Sequence, residues 1–180
     1  MRTQGKGRGT ARPIRVLGDP VLRTECDTVR SFDADLSRLI DDMFVSMHAA
    51  EGVGLAANQI GVSLRVFVYD CEDDEGRRHV GHVVNPVLVA EDGEMLLAEE
   101  GCLSVPGLHF PTPRAAHAVV EGVDSTGEPI RVEGTGYFAR CLLHETYHLN
   151  GKVYIDFLSG ETRREALRTI RSADWSQVGP

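Results

Sequence analysis

The chain has 180 residues, a hydrophobic content of 42% and a formal net charge of −8 at pH 7. This length suits one domain with a well-developed core. The negative charge argues against a general nucleic-acid binder, and no apolar run approaches the length of a membrane-spanning helix. We therefore expect a soluble, cytoplasmic protein without direct nucleic-acid specificity and without a membrane partner.

Residues 1–12 contain four basic residues, three glycines and no acidic residue. This composition predicts a disordered basic tail, too poor in apolar residues to be a signal peptide. Residues 13–172 are predicted to form a single catalytic domain, followed by a C-terminal tail at 173–180. In the absence of a signal peptide, the four cysteines are expected to remain reduced.

The first predicted helix begins after Asp33, a residue type that caps helix N-termini well. Apolar residues then recur at helical spacing and predict a core-facing stripe. They are Leu36, Leu39, Ile40, Met43, Phe44 and Met47. We expect the helix to end near Gly52.

The segment after this helix, residues 52–61, reads GVGLAANQIG. Gly52 and Gly54 allow the backbone to approach a ligand closely. The segment lacks the later glycine of a dinucleotide fingerprint and the Lys-Ser/Thr pair of a Walker motif, so a phosphate loop is disfavoured. The amide of Gln59 could stabilise negative charge that develops during a reaction.

Five strands are predicted between this segment and the next helix, each bounded by Gly, Asp or Pro. They span residues 64–69, 80–89, 94–98, 115–121 and 129–133. Helices that alternate irregularly with runs of sequential strands favour an α+β fold over a parallel βαβ fold.

Cys102 lies in the run EGCLSVPG, residues 100–107. The glycines and the proline predict neither a regular strand nor a helix here. A thiolate on such a constrained loop suits a metal ligand. The alternative is a small buried apolar residue, which is the usual role of a free cysteine, and the residues alone leave this choice open.

The most informative segment is HETYH, residues 144–148, on a predicted helix that begins after Thr135 and ends at Asn150-Gly151. His144 and His148 lie on one face of such a helix and can bind one divalent metal. Glu145 projects about 100° away from His144 and can act on a nearby water. The pattern predicts a metal-activated hydrolase, against the alternative of a chance match on an amphipathic helix.

A catalytic metal site of this kind needs a third protein ligand. A metzincin is excluded, because Tyr154 stands where its third histidine would be. Glu161 or Glu165, in a third predicted helix at 161–172, would give a thermolysin-like zinc endopeptidase. Both glutamates are more simply explained as part of a solvated helix face, and Cys102 is the remaining possibility.

Taken together, three of these segments resemble the signature motifs of the peptide deformylase family, in the family's order. They are GVGLAANQ at 52–59, EGCLS at 100–104 and HETYH at 144–148. The resemblance extends over nearly the whole chain, from about residue 14 to about residue 171. It implies mainly antiparallel sheets around a central metal-binding helix. It also implies hydrolysis of the N-terminal formyl group of formyl-methionyl nascent peptides, with release of formate.

The resemblance also implies individual roles. The ligands of one divalent metal would be Cys102, His144 and His148; Glu145 would be the acid/base; Gln59 and the backbone N–H of Leu103 would flank the oxyanion; and Arg114 would pair with Glu100. The metal implied is Fe²⁺, with Ni²⁺, Co²⁺ or Zn²⁺ as substitutes.

For the substrate, the resemblance implies that the region of Gly54 binds the peptide backbone. We further predict that Val53, Leu103, Cys141 and His144 surround the methionine side chain, since Cys141 lies three residues before His144 on the same helix face.

Two positions depart from the family pattern: Leu143 and Tyr147 stand where Gln and Asp are usual. Helix geometry makes neither a metal ligand, and we expect Tyr147 to pack against a neighbouring element. Two alternative functions remain at this stage, a zinc endopeptidase of the H-E-x-x-H type and a catalytically silent relative that binds the ribosome. For a deformylase, the region around the ribosome exit is a possible partner.

Overall fold

A computed structural model of the protein describes residues 8–176. Its helices are α1 (Ala34–Ala49), α2 (Gly136–Leu149) and α3 (Gly160–Ser172), and its strands are β1 (Gly54–Ala56), β2 (Val66–Glu72), β3 (Arg78–Cys102), β4 (Val105–Val123) and β5 (Pro129–Thr135). Short 3₁₀ helices occur at Pro20–Arg23, Ala57–Ile60, Tyr154–Phe157 and Asp174–Ser176.

The five strands form one antiparallel sheet in which each strand pairs with the next along the chain. Helix α2 packs on this sheet through Phe138 and Leu142, which share a buried cluster with Phe67 of β2 and Val120 of β4. The predicted α+β class is confirmed. The helix that carries HETYH, α2, is therefore packed against the sheet.

The N-terminal cap of α1 is confirmed, since Asp33 Oδ1 accepts a hydrogen bond from the Leu36 N–H over 3.1 Å. The predicted end of the helix is wrong by three residues, because α1 ends at Ala49. Glu51 adopts a left-handed φ of 58°, and the Gly52 N–H bonds to the Met47 carbonyl over 2.9 Å. The chain therefore turns at Glu51, one residue before Gly52.

The two strands predicted at 80–89 and 94–98 are one strand, β3, interrupted by bulges. Gly93, which punctuates the sequence, takes a φ of 84° next to a register shift between Asp92 and Met95. The prediction that 100–107 contains no regular strand is also wrong, because β3 continues to Cys102 and β4 begins at Val105. Main-chain hydrogen bonds build the ladder, and they form even where glycines weaken the side-chain signal.

Part of each predicted tail lies among the described residues. Residues 8–12 lie against α1, where the Thr10 N–H and the Arg12 guanidinium bond to the Asp42 carboxylate over 2.7 and 2.6 Å. Residues 1–7 and 177–180 lie outside the described residues. Within 8–176, no helix combines the length and apolar character needed to cross a membrane, and all four cysteines have free thiols.

Candidate metal centre and active site

Three potential metal ligands converge between α2 and the end of β3. The Nε2 atoms of His144 and His148 are 3.1 Å apart, and Cys102 Sγ lies 3.3 Å from His148 Nε2. One ligand atom from each residue falls within 4.8 Å of the other two. Spacing along α2 brings the histidines together, and the β3–β4 pairing brings the thiol to them.

This donor set fits a metal ion. One sulfur and two imidazole nitrogens suit several divalent transition metals. His144 Nδ1 is bonded to Glu100 Oε2 over 2.9 Å, so its Nε2 is the nitrogen that faces Cys102 and His148. His148 is fully buried, which leaves its Nε2 few partners besides the other two ligand atoms.

Glu100 is buried at the centre of a charged network. Its carboxylate accepts two hydrogen bonds from Arg114, over 3.1 and 2.7 Å, and one from Arg140 over 3.0 Å. The predicted Arg114–Glu100 pair is confirmed. Burial opposes ionisation of Glu100, but the hydrogen bond and charge of His144 and then those of Arg114 hold its pKa below the usual range.

Sequence reasoning missed Arg140. Its guanidinium also donates to the carbonyls of Thr112 over 2.7 Å and Leu96 over 2.9 Å. It therefore ties α2 to both β3 and β4 beside the proposed ligands. The helical spacing was a signal for it, since Arg140 lies four residues before His144 and on the same face.

The two imidazoles of the ligand group differ in how readily they bind a proton. Burial lowers the pKa of His144, but Cys102 and Glu100 raise it well above its ordinary value. Burial, followed by the charge of His144, lowers the pKa of His148 well below its ordinary value. His144 therefore binds a proton more readily than His148, and protonation of both imidazoles at once is disfavoured.

Glu145 lies beside these atoms without joining them. Its Oε1 is 3.9 Å from His144 Nε2, and its Oε2 has no hydrogen-bond partner among the described residues. Burial raises the pKa of Glu145 to about 7. A buried carboxyl group with this pKa can both accept and return a proton near neutral pH.

Gln59 is held with its amide group aimed at the same place. Its Oε1 accepts from the Ala56 N–H over 3.0 Å, while its Nε2 donates to Ser104 Oγ over 3.1 Å and lies 3.7 Å from Cys102 Sγ. Ser104 was not predicted as part of the site. Leu103 forms the turn between Cys102 and Ser104, at the cleft wall.

All five residues predicted to contact substrate line one cleft of about 440 Å³: Val53, Gly54, Leu103, Cys141 and His144. The Cys141 thiol lies 3.8 Å from the Val53 carbonyl, so helix and loop meet at the cleft floor. His109 and Tyr137 also line the cleft. The space is of the size that protein pockets offer to small ligands.

The other proposed third ligands lie elsewhere. Glu161 and Glu165 are exposed on α3, and neither belongs to the ligand group. Tyr154, which excluded a metzincin, is buried, and its hydroxyl donates to the Leu108 carbonyl over 3.4 Å. Of the three candidates for the third ligand, Cys102, Glu161 and Glu165, only Cys102 lies next to His144 and His148.

The two departures from the family pattern pack against neighbouring elements. Leu143 is fully buried in a cluster of small residues on β4 and α2. The Tyr147 ring contacts Phe157 edge-to-face at 4.8 Å, and its hydroxyl donates to the Glu91 carboxylate over 2.7 Å. The predicted packing of Tyr147 is confirmed.

Comparison with known proteins decides the family. The family model described as polypeptide deformylase matches residues 11–164. The chain belongs to the peptide deformylase family. Peptide deformylase 2 of Streptomyces avermitilis is 58% identical over 170 residues, which cover 94% of this chain and 91% of that protein.

Solved structures agree. The peptide deformylase of Thermus thermophilus is 41% identical with a TM-score of 0.82, and the match covers 91% of this chain and 95% of that one. A peptide deformylase of Synechococcus elongatus, solved in complex with actinonin, is 30% identical with the same TM-score of 0.82, covering 100% of this chain and 98% of that one. These matches confirm the predicted family and fold and make the chain a metallohydrolase of the deformylase type.

Proposed function

We propose that the protein removes the N-terminal formyl group from formyl-methionyl nascent peptides and releases formate. The observation that carries the proposal is the convergence of Cys102, His144 and His148 beside the buried Glu145, at the floor of a peptide-sized cleft. In a chain of this family, that geometry supports hydrolysis of a formamide bond.

The metal ion is held by Cys102, His144 and His148, and we propose ferrous iron as the physiological metal. When bound, a divalent metal supplies Lewis acidity, which acidifies water and polarises a carbonyl oxygen. The donor set also accepts Ni²⁺, Co²⁺ or Zn²⁺. Protein purified without oxygen should contain iron and lose activity in air, whereas nickel-loaded protein should stay active. Full activity of the iron form after exposure to air would count against iron.

Glu145 performs the proton transfers. It takes a proton from the water whose oxygen attacks the formyl carbon, and it delivers that proton to the peptide nitrogen as the carbon–nitrogen bond breaks. Its pKa of about 7 supports both steps, since the group is neither a strong acid nor a strong base at neutral pH. A Cβ added at Gly54 would lie 2.7 Å from Glu145 Oε1, so the lack of a side chain at Gly54 leaves the carboxyl group room to move.

Negative charge on the formyl oxygen is stabilised by two neutral donors, the Gln59 amide and the backbone N–H of Leu103. The bonds of Gln59 to Ala56 and Ser104 fix its orientation before substrate arrives. Such preorganised donors stabilise the transition state more than the ground state.

The methionine side chain is proposed to lie among Val53, Leu103, Cys141 and His144, with Gly54 beside the peptide backbone. The substitution Cys141→Trp would fill this space from α2. It should raise KM for formyl-methionyl peptides about tenfold or more, the order expected when a well-shaped apolar pocket is blocked, while metal content is unchanged. Unaltered kinetics would place the pocket elsewhere.

The decisive experiment is a formate assay with a formyl-methionyl peptide on oxygen-free protein, with metal measured on the same sample. Cys102→Ala and His148→Ala should lose the metal, whereas Glu145→Ala should keep it and lose turnover about 10²- to 10⁴-fold. Cleavage of an internal peptide bond would instead indicate an endopeptidase. Folded Glu145→Ala protein without metal would overturn the assignment of Glu145.

We also propose that the protein acts in the cytoplasm near the ribosome exit, because its substrates are the starts of nascent chains. Cosedimentation with translating ribosomes tests this part separately. Protein that stays in the supernatant at all ribosome concentrations would contradict it and leave the deformylase proposal intact.

A further inference from the structure

Residues Pro106, Gly107 and Leu108 form a bulge in β4 that lines the cleft. On β3, Cys102 pairs with Val105 and Gly101 pairs with His109, so the three residues between have no paired partner on β3. Gly107 adopts a left-handed φ of 75° in the middle of this bulge. The β3–β4 ladder therefore does not determine where this part of the cleft wall lies.

Two side chains from the C-terminal part of the chain hold the bulge by its carbonyl groups. Trp175 Nε1 donates to the Pro106 carbonyl over 3.2 Å, and the Tyr154 hydroxyl reaches the Leu108 carbonyl over 3.4 Å. The first of these bonds is the shorter. It uses the only donor that an indole ring has.

The Trp175 ring also packs where the bulge meets the core. It lies, partly buried, against the cluster around Phe110 and Ile170, which Leu108 also contacts. Pro106 is thus tied to the 3₁₀ helix Asp174–Ser176 by a hydrogen bond, while the neighbouring apolar surfaces keep that helix in place. The hydrogen bond to Pro106 and the apolar contacts of Leu108 therefore hold the same short segment of the cleft wall.

This anchor lies beyond the region that the family model describes, since the match ends at residue 164. None of the three signature motifs includes Trp175 or Pro106. The wall is therefore fixed by a contact that the family motifs do not predict.

We propose that Trp175 is a positioning residue for substrate: by holding Pro106, it sets the width of the cleft in which the peptide binds. The proposal rests on the proposed deformylase function. Glu145, Gln59 and Pro106 line the cleft and Trp175 is not among its lining residues, so Trp175 acts through the wall and changes peptide binding more than the chemical step. The expected signature is a change in KM with little change in kcat.

The test uses full-length variants loaded with Ni²⁺ and assayed for formate release. Trp175→Phe keeps an aromatic ring but removes the N–H, and it should raise KM about fivefold, the effect of one lost neutral hydrogen bond. Trp175→Ala should raise KM further. In both, kcat and bound metal should remain near the wild-type values. Arg168→Ala, an exposed substitution on α3, is the matched control and should leave KM unchanged.

A second readout does not depend on turnover. Trp175 is the only tryptophan in the sequence, so its emission reports on the wall directly. Titration of the wild-type protein with the product peptide Met-Ala-Ser should shift this emission in a saturable way, and Arg168→Ala should behave alike.

The outcomes separate the two proposals. Absence of formate release by the wild type would overturn the deformylase function, while a saturable emission shift would still support the positioning role. Unchanged KM in both Trp175 variants, with an active wild type, would overturn the positioning role. A loss of kcat and bound metal at unchanged KM would also overturn it, because it would indicate a structural role at the metal site.

Discussion

Glu100 accepts a hydrogen bond from Nδ1 of His144 over 2.9 Å. Glu100 stands two positions before the proposed ligand Cys102, and it orients the side chain of a second proposed ligand, His144. This bond sets the tautomer of His144 and leaves Nε2 available for a metal. Arg114 and Arg140 bond to the same carboxylate and balance its charge. The two motifs EGCLS and HETYH are therefore joined by a polar network as well as by the shared metal site.

Replacement of this carboxylate should affect both folding and metal binding. Glu100→Gln preserves shape but leaves Arg114 and Arg140 buried without a counter-charge. We expect the free energy of unfolding to fall by about 3 kcal/mol and the metal affinity to fall about 10- to 100-fold. Urea denaturation and competition with a chelator measure the two quantities. The adjacent exposed Glu99 offers the control Glu99→Gln, which should alter neither; an unchanged stability of Glu100→Gln would contradict the role of the network.

Gly54 should be intolerant of a methyl group because of Glu145. An added Cβ would lie 2.7 Å from Glu145 Oε1 and 2.9 Å from its Cγ. Gly54→Ala should displace the carboxyl group and lower kcat about 100-fold without loss of metal. The control Gly52→Ala places its Cβ 2.7 Å from the flexible tip of Leu103 and should alter KM more than kcat. Wild-type kcat in Gly54→Ala would show that Glu145 does not need this space.

Tyr147 should contribute through its ring. Its hydroxyl bonds to Glu91 at the surface, whereas the ring packs on Phe157. Tyr147→Phe should keep most of the activity, and Tyr147→Ala should lower the free energy of unfolding by about 2 kcal/mol, less than for a fully buried ring. Turnover and chemical denaturation of both variants distinguish the roles. If Tyr147→Phe loses as much turnover as Glu145→Ala, the hydroxyl takes part in the chemistry.

Acid should weaken the fold partly through Asp70, a residue of β2. Its carboxylate accepts two hydrogen bonds of 2.7 Å from Arg78 and lies 2.8 Å from His48 Nε2. The Arg78 hydrogen bond is the main cause that lowers the pKa of Asp70 to about 2. A lowered carboxyl pKa contributes stability above its unfolded value, near 4, and this contribution is lost as the pH falls toward about 2.

Asp70→Asn should therefore be less stable than the wild type at pH 6, by on the order of 1 kcal/mol after solvent screening. The difference should shrink as the pH falls from about 5 to about 2. Urea unfolding across this range measures it. Asp35→Asn, at an exposed pair with Arg38, should show no such trend. A difference independent of pH would mean that the Asp70 charge is not responsible.

Local patterns in the sequence were sufficient for the elements that depend on neighbouring residues. The stripe from Leu36 to Met47 and the cap at Asp33 predicted α1, because helix contacts join residues three or four apart. The same spacing brought His144 and His148 to one face of α2 and kept Glu145 off it. These properties follow from the helix alone, and the structure reproduces them.

The tertiary structure decided what joins distant parts of the chain. Cys102 lies 42 residues before His144, and the residues alone left its role open until the β3–β4 ladder carried the thiol to α2. The glycine at a bulge also made β3 look like two separate strands in the sequence. Its continuity depends on hydrogen-bond partners elsewhere in the chain, which local patterns do not reveal. Arg140 stands at helical spacing from His144, but its contact with Glu100, like the contact of Trp175 with Pro106, could not be predicted from that spacing. Each contact depends on the register of the sheet and the packing of a helix against it.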